Sequence, residues 1–295
     1  MKTLIDISVP TLTFILLTAV GLDLTSKDFA RVRRQPAVVL TGLVAPLFLL
    51  PAIAVGLTWA FRPTADVAAS LLLVAACPVG GISNTYSYLA RASPALSVTL
   101  TGLSCLLAGV TIPIIGEGLQ RVGGRPFDLT VPMSALLGQL FLMLTVPVGF
   151  GMWARRMWTD WALRWQTTMQ RLGFLGVGIV LVLIILDDPL AFISALPHTV
   201  PLAAVFVACS TAVGWMTAAT VTADRRDRFT LAVEFGTRNL GVAMAIAVTL
   251  LERVEFARFA YIYFLTELPL MLVAIAVFRR DPRSVLSGTG RPAPS

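Results

Sequence analysis

Nine long apolar runs, separated by short breaks that hold most of the charged residues, constrain the fold of this chain more than any other feature. A helix needs about 20 mostly apolar residues to cross the hydrocarbon core of a bilayer, and the runs are close to this length. Strands of a membrane β-barrel would alternate apolar and polar residues, whereas these runs are continuously apolar. The pattern predicts an all-α membrane protein with nine transmembrane helices, at about 4–22, 37–60, 68–91, 94–115, 132–154, 170–187, 198–221, 228–251 and 256–278.

Charged residues make up only 13% of the 295 residues, whereas soluble domains carry about 25%. The chain therefore has too little charge for the surface of a soluble enzyme. It also lacks a Walker A loop, a Gly-x-Ser-x-Gly elbow and a His-Glu-x-x-His motif, which speaks against an ATP-driven pump or a common hydrolase. We predict a single membrane domain over 1–278, a polar tail over 279–295, and no enzymatic activity.

The 23 basic residues are distributed unevenly between the two sides of the predicted bundle. Six fall on the side of the N-terminus and sixteen on the opposite side, and one, Arg238, lies inside the eighth run. Cytoplasmic loops of membrane proteins are enriched in Lys and Arg. We therefore predict a multi-pass protein of the cell membrane with its N-terminus outside and its C-terminus in the cytoplasm. The net charge of +7 reflects this orientation. We therefore expect the protein to contact membrane lipids, and we do not expect it to bind nucleic acid.

Two of the runs contain residues that interrupt helices. The third holds Pro78 with Gly80 and Gly81, and the eighth holds Gly236 and Gly241 around a polar centre. Such breaks are tolerated in a membrane where they are buried in protein or line a polar cavity. Paired broken helices in the two halves of a chain are typical of secondary transporters built from inverted repeats. Runs one to four would then correspond to runs six to nine.

A set of side-chain oxygens surrounds these breaks in the sequence. Hydroxyl, amide and carboxylate oxygens are the ligands that hard cations prefer, and one carboxylate suits a monovalent ion such as Na⁺. The alternative is that the hydroxyl groups only join helices by hydrogen bonds. The candidate Na⁺ ligands are Ser83, Asn84, Ser97, Thr101 and Glu234.

Three charged residues lie inside predicted spans, namely Glu234, Arg238 and Glu267. An ionisable group within the bilayer is costly and indicates a functional site. Glu234 has three possible partners, which are Na⁺, a proton and Arg238. Arg238 follows Glu234 by four residues, so an unbroken helix would pair them. Glu267 would neutralise Arg238 and free Glu234 for a cation, or all three would form one structural ion-pair network.

The chain resembles the bile acid:sodium symporter family over residues 4 to about 278. The resemblance is carried by Gly21-Leu22-Asp23-Leu24 with Asp28-Phe29, Cys77-Pro78 with Gly80-Gly81 and Ser83-Asn84, Tyr88-Leu89-Ala90-Arg91 with Ala95-Leu96-Ser97, and Glu234-x-Gly236-x-x-Asn239-x-Gly241. It implies a core domain with two crossed broken helices beside a smaller panel domain. It also implies Na⁺-coupled uptake of an organic anion by alternating access.

The resemblance assigns the family's first sodium site to the five candidate ligands above. Its second sodium site uses a glutamine where this chain has Arg238, and a guanidinium has only hydrogen-bond donors. Two hypotheses follow: Arg238 acts as a fixed cation, so that transport needs one Na⁺ or none, or Arg238 binds the substrate carboxylate in a bidentate manner. Gly81 stands near the position of a substrate-contacting threonine of the family. The candidate substrate-contacting residues are Asn239, Arg238, Gly81 and Glu267.

We therefore predict a secondary transporter of an organic anion, such as a bile-acid-like compound or a keto acid, coupled to Na⁺ at a single site. The expected ligands are the anion and the coupling ion, with no organic cofactor and no obligate protein partner. The alternatives are a proton-coupled or Na⁺-independent carrier, including an efflux protein, and a membrane sensor that binds a ligand without transporting it.

Overall fold

The computed structural model describes residues 2–25, 30, 32–123 and 133–280. Most of these residues are helical, and their only extended pairing is one isolated bridge. Some predicted features lie outside the described residues. They are the Asp28-Phe29 motif, the tail from residue 281 onward, and three more of the basic residues counted above, Lys27, Arg31 and Arg125. The helices are α1 (Lys2–Asp23), α2 (Pro36–Phe61), α3 (Ala65–Ala76), α4 (Ile82–Leu89), α5 (Pro94–Gly123), α6 (Met133–Leu140), α7 (Val146–Met157), α8 (Thr159–Asp187), α9 (Pro189–Ala219), α10 (Arg225–Gly236), α11 (Leu240–Ala245) and α12 (Val254–Arg280).

Six helical segments are long and apolar enough to cross a membrane: α2, most of α5, the path from Leu137 to Met157, α8, α9 and α12. Three shorter apolar helices, Ile7–Asp23, Ala65–Ala76 and Leu240–Leu250, accompany them. Large apolar side chains are exposed along α2, α5, α8 and α9, which is unusual for a protein surface that faces water. The chain is thus an all-α, multi-pass membrane protein. The count of nine spans stays a prediction.

Two helices begin earlier than the apolar runs predict. α8 begins at Thr159 and not near 170, because its first turns carry Trp and Arg residues that the hydropathy pattern excludes. α9 begins at Pro189 and not near 198. The carboxylate of Asp188 accepts a hydrogen bond from the amide of Ala191 at 2.9 Å, and proline is favoured in the first turn. Capping residues, which are polar, therefore set this boundary.

The third run is broken between Ala76 and Ile82, where the sequence predicts a break. Pro78 has no amide hydrogen to continue the helix. The main chain of the break is paired by α5 instead, since the amide of Val79 donates to Ser104 Oγ at 3.2 Å. Main-chain amide and carbonyl groups that lose their helical hydrogen bonds inside a membrane must find other partners in the protein. The bond to Ser104 meets this requirement for Val79.

The eighth run is broken between Gly236 and Leu240, again as the sequence predicts. The two breaks cross, because the amide of Asn239 donates to the carbonyl of Pro78 at 2.9 Å and Val79 pairs with Arg238 in the isolated antiparallel bridge. A Cβ atom on Gly80 would lie 2.7 Å from the carbonyl oxygen of Arg238. Only glycine permits this close approach of the two main chains.

The helices α1, α7 and α8 pack together on one side of the crossing. A Cβ atom on Gly21 would lie 2.1 Å from the carbonyl oxygen of Val148, so α1 and α7 are in backbone contact. On the other side, α10 packs against α9, and α12 packs against α3 and α9. Side chains from both groups contribute to a large buried apolar cluster. The crossing therefore lies inside the protein.

Candidate functional site

The carboxylate of Glu234 lies at the centre of a buried group of oxygen atoms. Glu234 is in the last turns of α10 and is fully buried. Ser97 Oγ lies 2.5 Å from its Oε1, and Thr101 Oγ1 lies 3.2 Å from its Oε2. The two hydroxyl groups share one face of α5 because they are four residues apart. α5 therefore presents both hydroxyl groups to the carboxylate.

The helix α4 adds two more oxygens to this group. Ser83 Oγ lies 3.1 Å from Thr101 Oγ1. Asn84 Oδ1 lies 2.9 Å from Ser97 Oγ and 3.3 Å from Thr101 Oγ1. The structure thus brings together all five predicted Na⁺ ligands, which come from three helices.

Five residues bring their oxygen atoms together around one carboxylate. Ser97 and Thr101 have one hydroxyl hydrogen each, and each faces both the carboxylate of Glu234 and the amide oxygen of Asn84. A cluster of hydroxyl, amide and carboxylate oxygens is the ligand set that a hard cation prefers. Among the described residues there is no cluster of three or more His, Cys, Asp and Glu side chains that would suit a transition metal.

The guanidinium of Arg238 binds main-chain carbonyls and not a carboxylate. Nη1 donates to the carbonyl of Cys77 at 3.1 Å, and Nη2 donates to the carbonyl of Glu234. Cys77 is the C-terminal cap of α3, and Glu234 lies in the last turn of α10. Helix C-termini carry partial negative charge. Arg238 therefore places a positive charge at the C-terminal ends of both interrupted helices.

Asn239 is held firmly in the crossing. Its Oδ1 accepts a hydrogen bond from the amide of Val242 at 3.1 Å and so caps α11, and its Nδ2 donates to the carbonyl of Val79 at 3.4 Å. The residue also lines a cavity. Its amide group thus shapes the cavity wall through bonds within the protein.

A cavity of about 330 Å³ lies between α1 and α8 on one side and the crossing on the other. This volume is within the usual range for small-molecule sites, about 300–1,000 Å³. Of the predicted substrate-contacting residues, Arg238, Asn239 and Gly81 line it, and Glu267 does not. Asn84 also lines it, so the cavity adjoins the oxygen group around Glu234.

The end of the cavity at α8 has a polar group that sequence reasoning missed. The amide of Gln166 donates to Asp23 Oδ1, and the amide of Gln170 donates to Asp23 Oδ2 at 2.9 Å. All three residues line the cavity. The available signal was the spacing of the two glutamines, which are four residues apart and so share one helix face. The cavity is therefore polar at both ends and mainly apolar between them.

Glu267 lies in the middle of α12 and is fully buried. In the part of the chain that the structure describes, neither of its carboxylate oxygens has a partner in close hydrogen-bond geometry, and no ion pair joins it to Arg238. The predicted pairing of Glu267 with Arg238 is therefore absent from the described residues. Its place outside the cavity lining also separates it from the other predicted substrate contacts.

Comparison with known proteins gives a family match. The model described as the Sodium Bile acid symporter family matches residues 9–195, which is more than half of the chain. The matched range includes the candidate ligands on α4 and α5 and ends before Glu234.

Three relatives illustrate the similarity. The "Uncharacterized sodium-dependent transporter YocS" of Bacillus subtilis is 37% identical over 101 residues, covering 34% of this chain and 32% of the relative. The "Probable sodium/metabolite cotransporter BASS2, chloroplastic" of Oryza sativa subsp. japonica is 33% identical over 116 residues, covering 35% and 28%. The human "Sodium-dependent organic anion transporter" is 27% identical over 125 residues, covering 42% and 33%. Each match spans about a third of the relative's length.

Proposed function

The chain belongs to the sodium bile acid symporter family, as its motifs predict, and from that membership we propose that it is a secondary transporter that couples the movement of an organic anion to Na⁺. The observation that carries this proposal is the buried group of oxygens around Glu234, next to a cavity formed by the crossed helices. The names of its relatives, which include sodium-dependent transporters and an organic anion transporter, support it.

We assign the Na⁺ site to Ser83, Asn84, Ser97, Thr101 and Glu234. One carboxylate balances one monovalent cation, and the other four residues offer neutral oxygens. Because these residues belong to α4, α5 and α10, a bound ion would hold the two interrupted helices and α5 together. Ion binding would thereby fix the shape of the adjacent cavity. This link between the ion and the cavity wall is the coupling step.

We propose that only one Na⁺ takes part. The guanidinium of Arg238 contacts the carbonyls at the C-terminal ends of α3 and α10, where a cation would be favoured by both helix dipoles. Having donors only, it cannot ligate Na⁺, and its contacts are those of a cation bound to carbonyl oxygens. Of the two hypotheses for Arg238, this geometry supports the fixed cation over the carboxylate clamp.

The cavity favours an amphipathic anion. The N-terminal end of α4 borders it at Ile82, and helix N-termini attract negative charge. Its walls include Leu16, Val98 and Phe174, which suit an apolar body. We place the anionic group of the substrate near the crossing and the remainder toward α8. Alternating access would then be a movement of α1, α7 and α8 relative to the crossing, in a nine-span protein of the cell membrane.

The test is uptake into proteoliposomes of a labelled bile acid and a labelled keto acid, with an inward Na⁺ gradient or with choline in place of Na⁺. We expect Na⁺-dependent uptake in the native protein and its loss in Glu234→Gln. Glu255→Gln is the matched control, because Glu255 lies at the exposed start of α12. Uptake that ignores Na⁺ and follows a pH gradient would refute Na⁺ coupling. Saturable binding without counterflow exchange would refute transport.

A further inference from the structure

Glu267 stands out among the buried charged groups because its surroundings do not neutralise it. Its side chain is 0% exposed, and neither carboxylate oxygen has a hydrogen-bond partner among the described residues. A buried carboxylate of this kind is strongly disfavoured in its ionised form unless it is paired or hydrogen-bonded. Native proteins rarely leave such a group unsatisfied without a functional reason.

Two hydroxyl groups lie beside this carboxylate. Tyr86 of α4 and Thr237 of the second break both approach Glu267. Each hydroxyl is buried and, within the ranges that the structure covers, makes no hydrogen bond. The two hydroxyls are therefore the polar groups nearest to the carboxylate, and none of the three side chains has a partner in close hydrogen-bond geometry.

We propose that Glu267 is a proton-binding site whose carboxyl group carries a proton in this conformation. A protonated carboxyl group has one donor and retains acceptor capacity, so it can donate to one of the two hydroxyls and accept from the other. The charge is thereby removed and all three side chains gain partners. A metal ion would need a fuller shell of oxygen ligands, and Glu267 does not line the cavity at the crossing.

The ionisable groups that face Glu267 are few. Tyr86 and Arg238 approach from α4 and the second break, and Tyr263 lies one turn earlier on α12. Among the helices packed against α12, α3 has a single charged residue, Asp66, which binds Arg253, and α9 has only His198 and Cys209 as ionisable groups. The Nη atoms of Arg238 donate hydrogen bonds to main-chain carbonyls. The positive charge of Arg238 therefore acts on Glu267 only through space, without a hydrogen bond or ion pair.

The proton site adjoins the proposed coupling machinery. Thr237 follows Gly236 in the break that carries Arg238, and the hydroxyl of Tyr263 donates to the carbonyl of Gly236 at 2.5 Å. Movement of this break relative to α12 would change the partners of the carboxyl group and release or take up the proton. This use of the site rests on the proposed function, whereas the presence of the proton does not.

The test is infrared spectroscopy of the purified protein in lipid, titrated with pH, following the carbonyl stretch of protonated carboxylic acids. We expect a carboxylic-acid band at neutral pH that is lost in Glu267→Gln, retained in the exposed control Glu255→Gln, and retained in Glu234→Gln. If Glu267→Gln fails to fold, Tyr86→Phe decides, since removing the adjacent hydroxyl should shift the frequency of the band.

A spectrum in which Glu267→Gln removes no band at any pH overturns the proposal, as does an unshifted band in Tyr86→Phe. An ionised Glu267 paired with Arg238 would give this result. Because the measurement needs neither Na⁺ nor substrate, its outcome is independent of whether uptake is Na⁺-dependent. Failure of the proton site and failure of the proposed transport function are therefore distinguishable.

Discussion

Replacing Arg238 by glutamine tests whether the guanidinium occupies the place of a cation. In the native protein it satisfies the carbonyls of Cys77 and Glu234. A shorter glutamine amide can serve one of these carbonyls, and an orphaned buried acceptor costs about 1–3 kcal/mol. We expect Arg238→Gln to be less stable than the native protein by about this amount in Na⁺-free buffer.

Added Na⁺ should offset this deficit. A ligand that binds only the folded state stabilises it by about 2.7 kcal/mol when present at about 100 times its Kd. The native protein has one proposed site and so gains this amount once. Arg238→Gln frees a second site with carbonyl ligands and an amide oxygen, so it gains up to about twice as much. Its unfolding midpoint should therefore rise more steeply with Na⁺.

The assay is thermal unfolding in detergent, with Na⁺ exchanged for choline at constant ionic strength, together with the Na⁺ dependence of uptake. Arg253→Gln is the matched control, because Arg253 forms a half-exposed ion pair with Asp66 and such pairs contribute about 0–1 kcal/mol. An Arg238→Gln protein with the Na⁺ response of the native protein would refute the fixed-cation assignment. If its substrate affinity also collapsed, the carboxylate clamp would be favoured.

Two further predictions concern the crossing and the cavity. Gly80→Ala should destabilise the protein by about 1–3 kcal/mol through overpacking, because its Cβ would lie 2.7 Å from the carbonyl oxygen of Arg238; Gly178→Ala, with nothing within 4 Å, should not. A thermal shift equal in both variants would contradict the close approach. Gln170→Leu should raise the substrate KM and leave the half-saturating Na⁺ concentration unchanged, since Gln170 binds Asp23 at the far end of the cavity. A parallel change in both quantities would show that this end also affects the ion site.

The sequence was most informative where a local pattern determines geometry. Pro78 and the glycines predict the two breaks because they act on their own main chain. The four-residue spacing of Ser97 and Thr101 predicts a shared face by helical periodicity alone. These features account for the crossed helices and for most of the candidate ion site.

Other features depend on how distant segments approach one another. The partners of Asp23 lie on α8, more than 140 residues away in the chain, and no local pattern pairs them. The direction of the Arg238 side chain depends on where α3 ends in space, so its contact with Cys77 was not predictable. The early start of α8 was missed because its first turns are amphipathic and not apolar.

The position of Arg238 has a thermodynamic consequence for the proposed transporter. A positive charge that is covalently part of the chain cannot be supplied or removed by a gradient, so it adds no driving force to the cycle. With a single mobile Na⁺, the highest substrate accumulation varies with the first power of the Na⁺ gradient and not with its square. A monovalent anion and one Na⁺ together carry no net charge, so membrane voltage acts on uptake only through a proton that crosses with them. The guanidinium thus limits concentrating power while making transport less dependent on abundant external Na⁺.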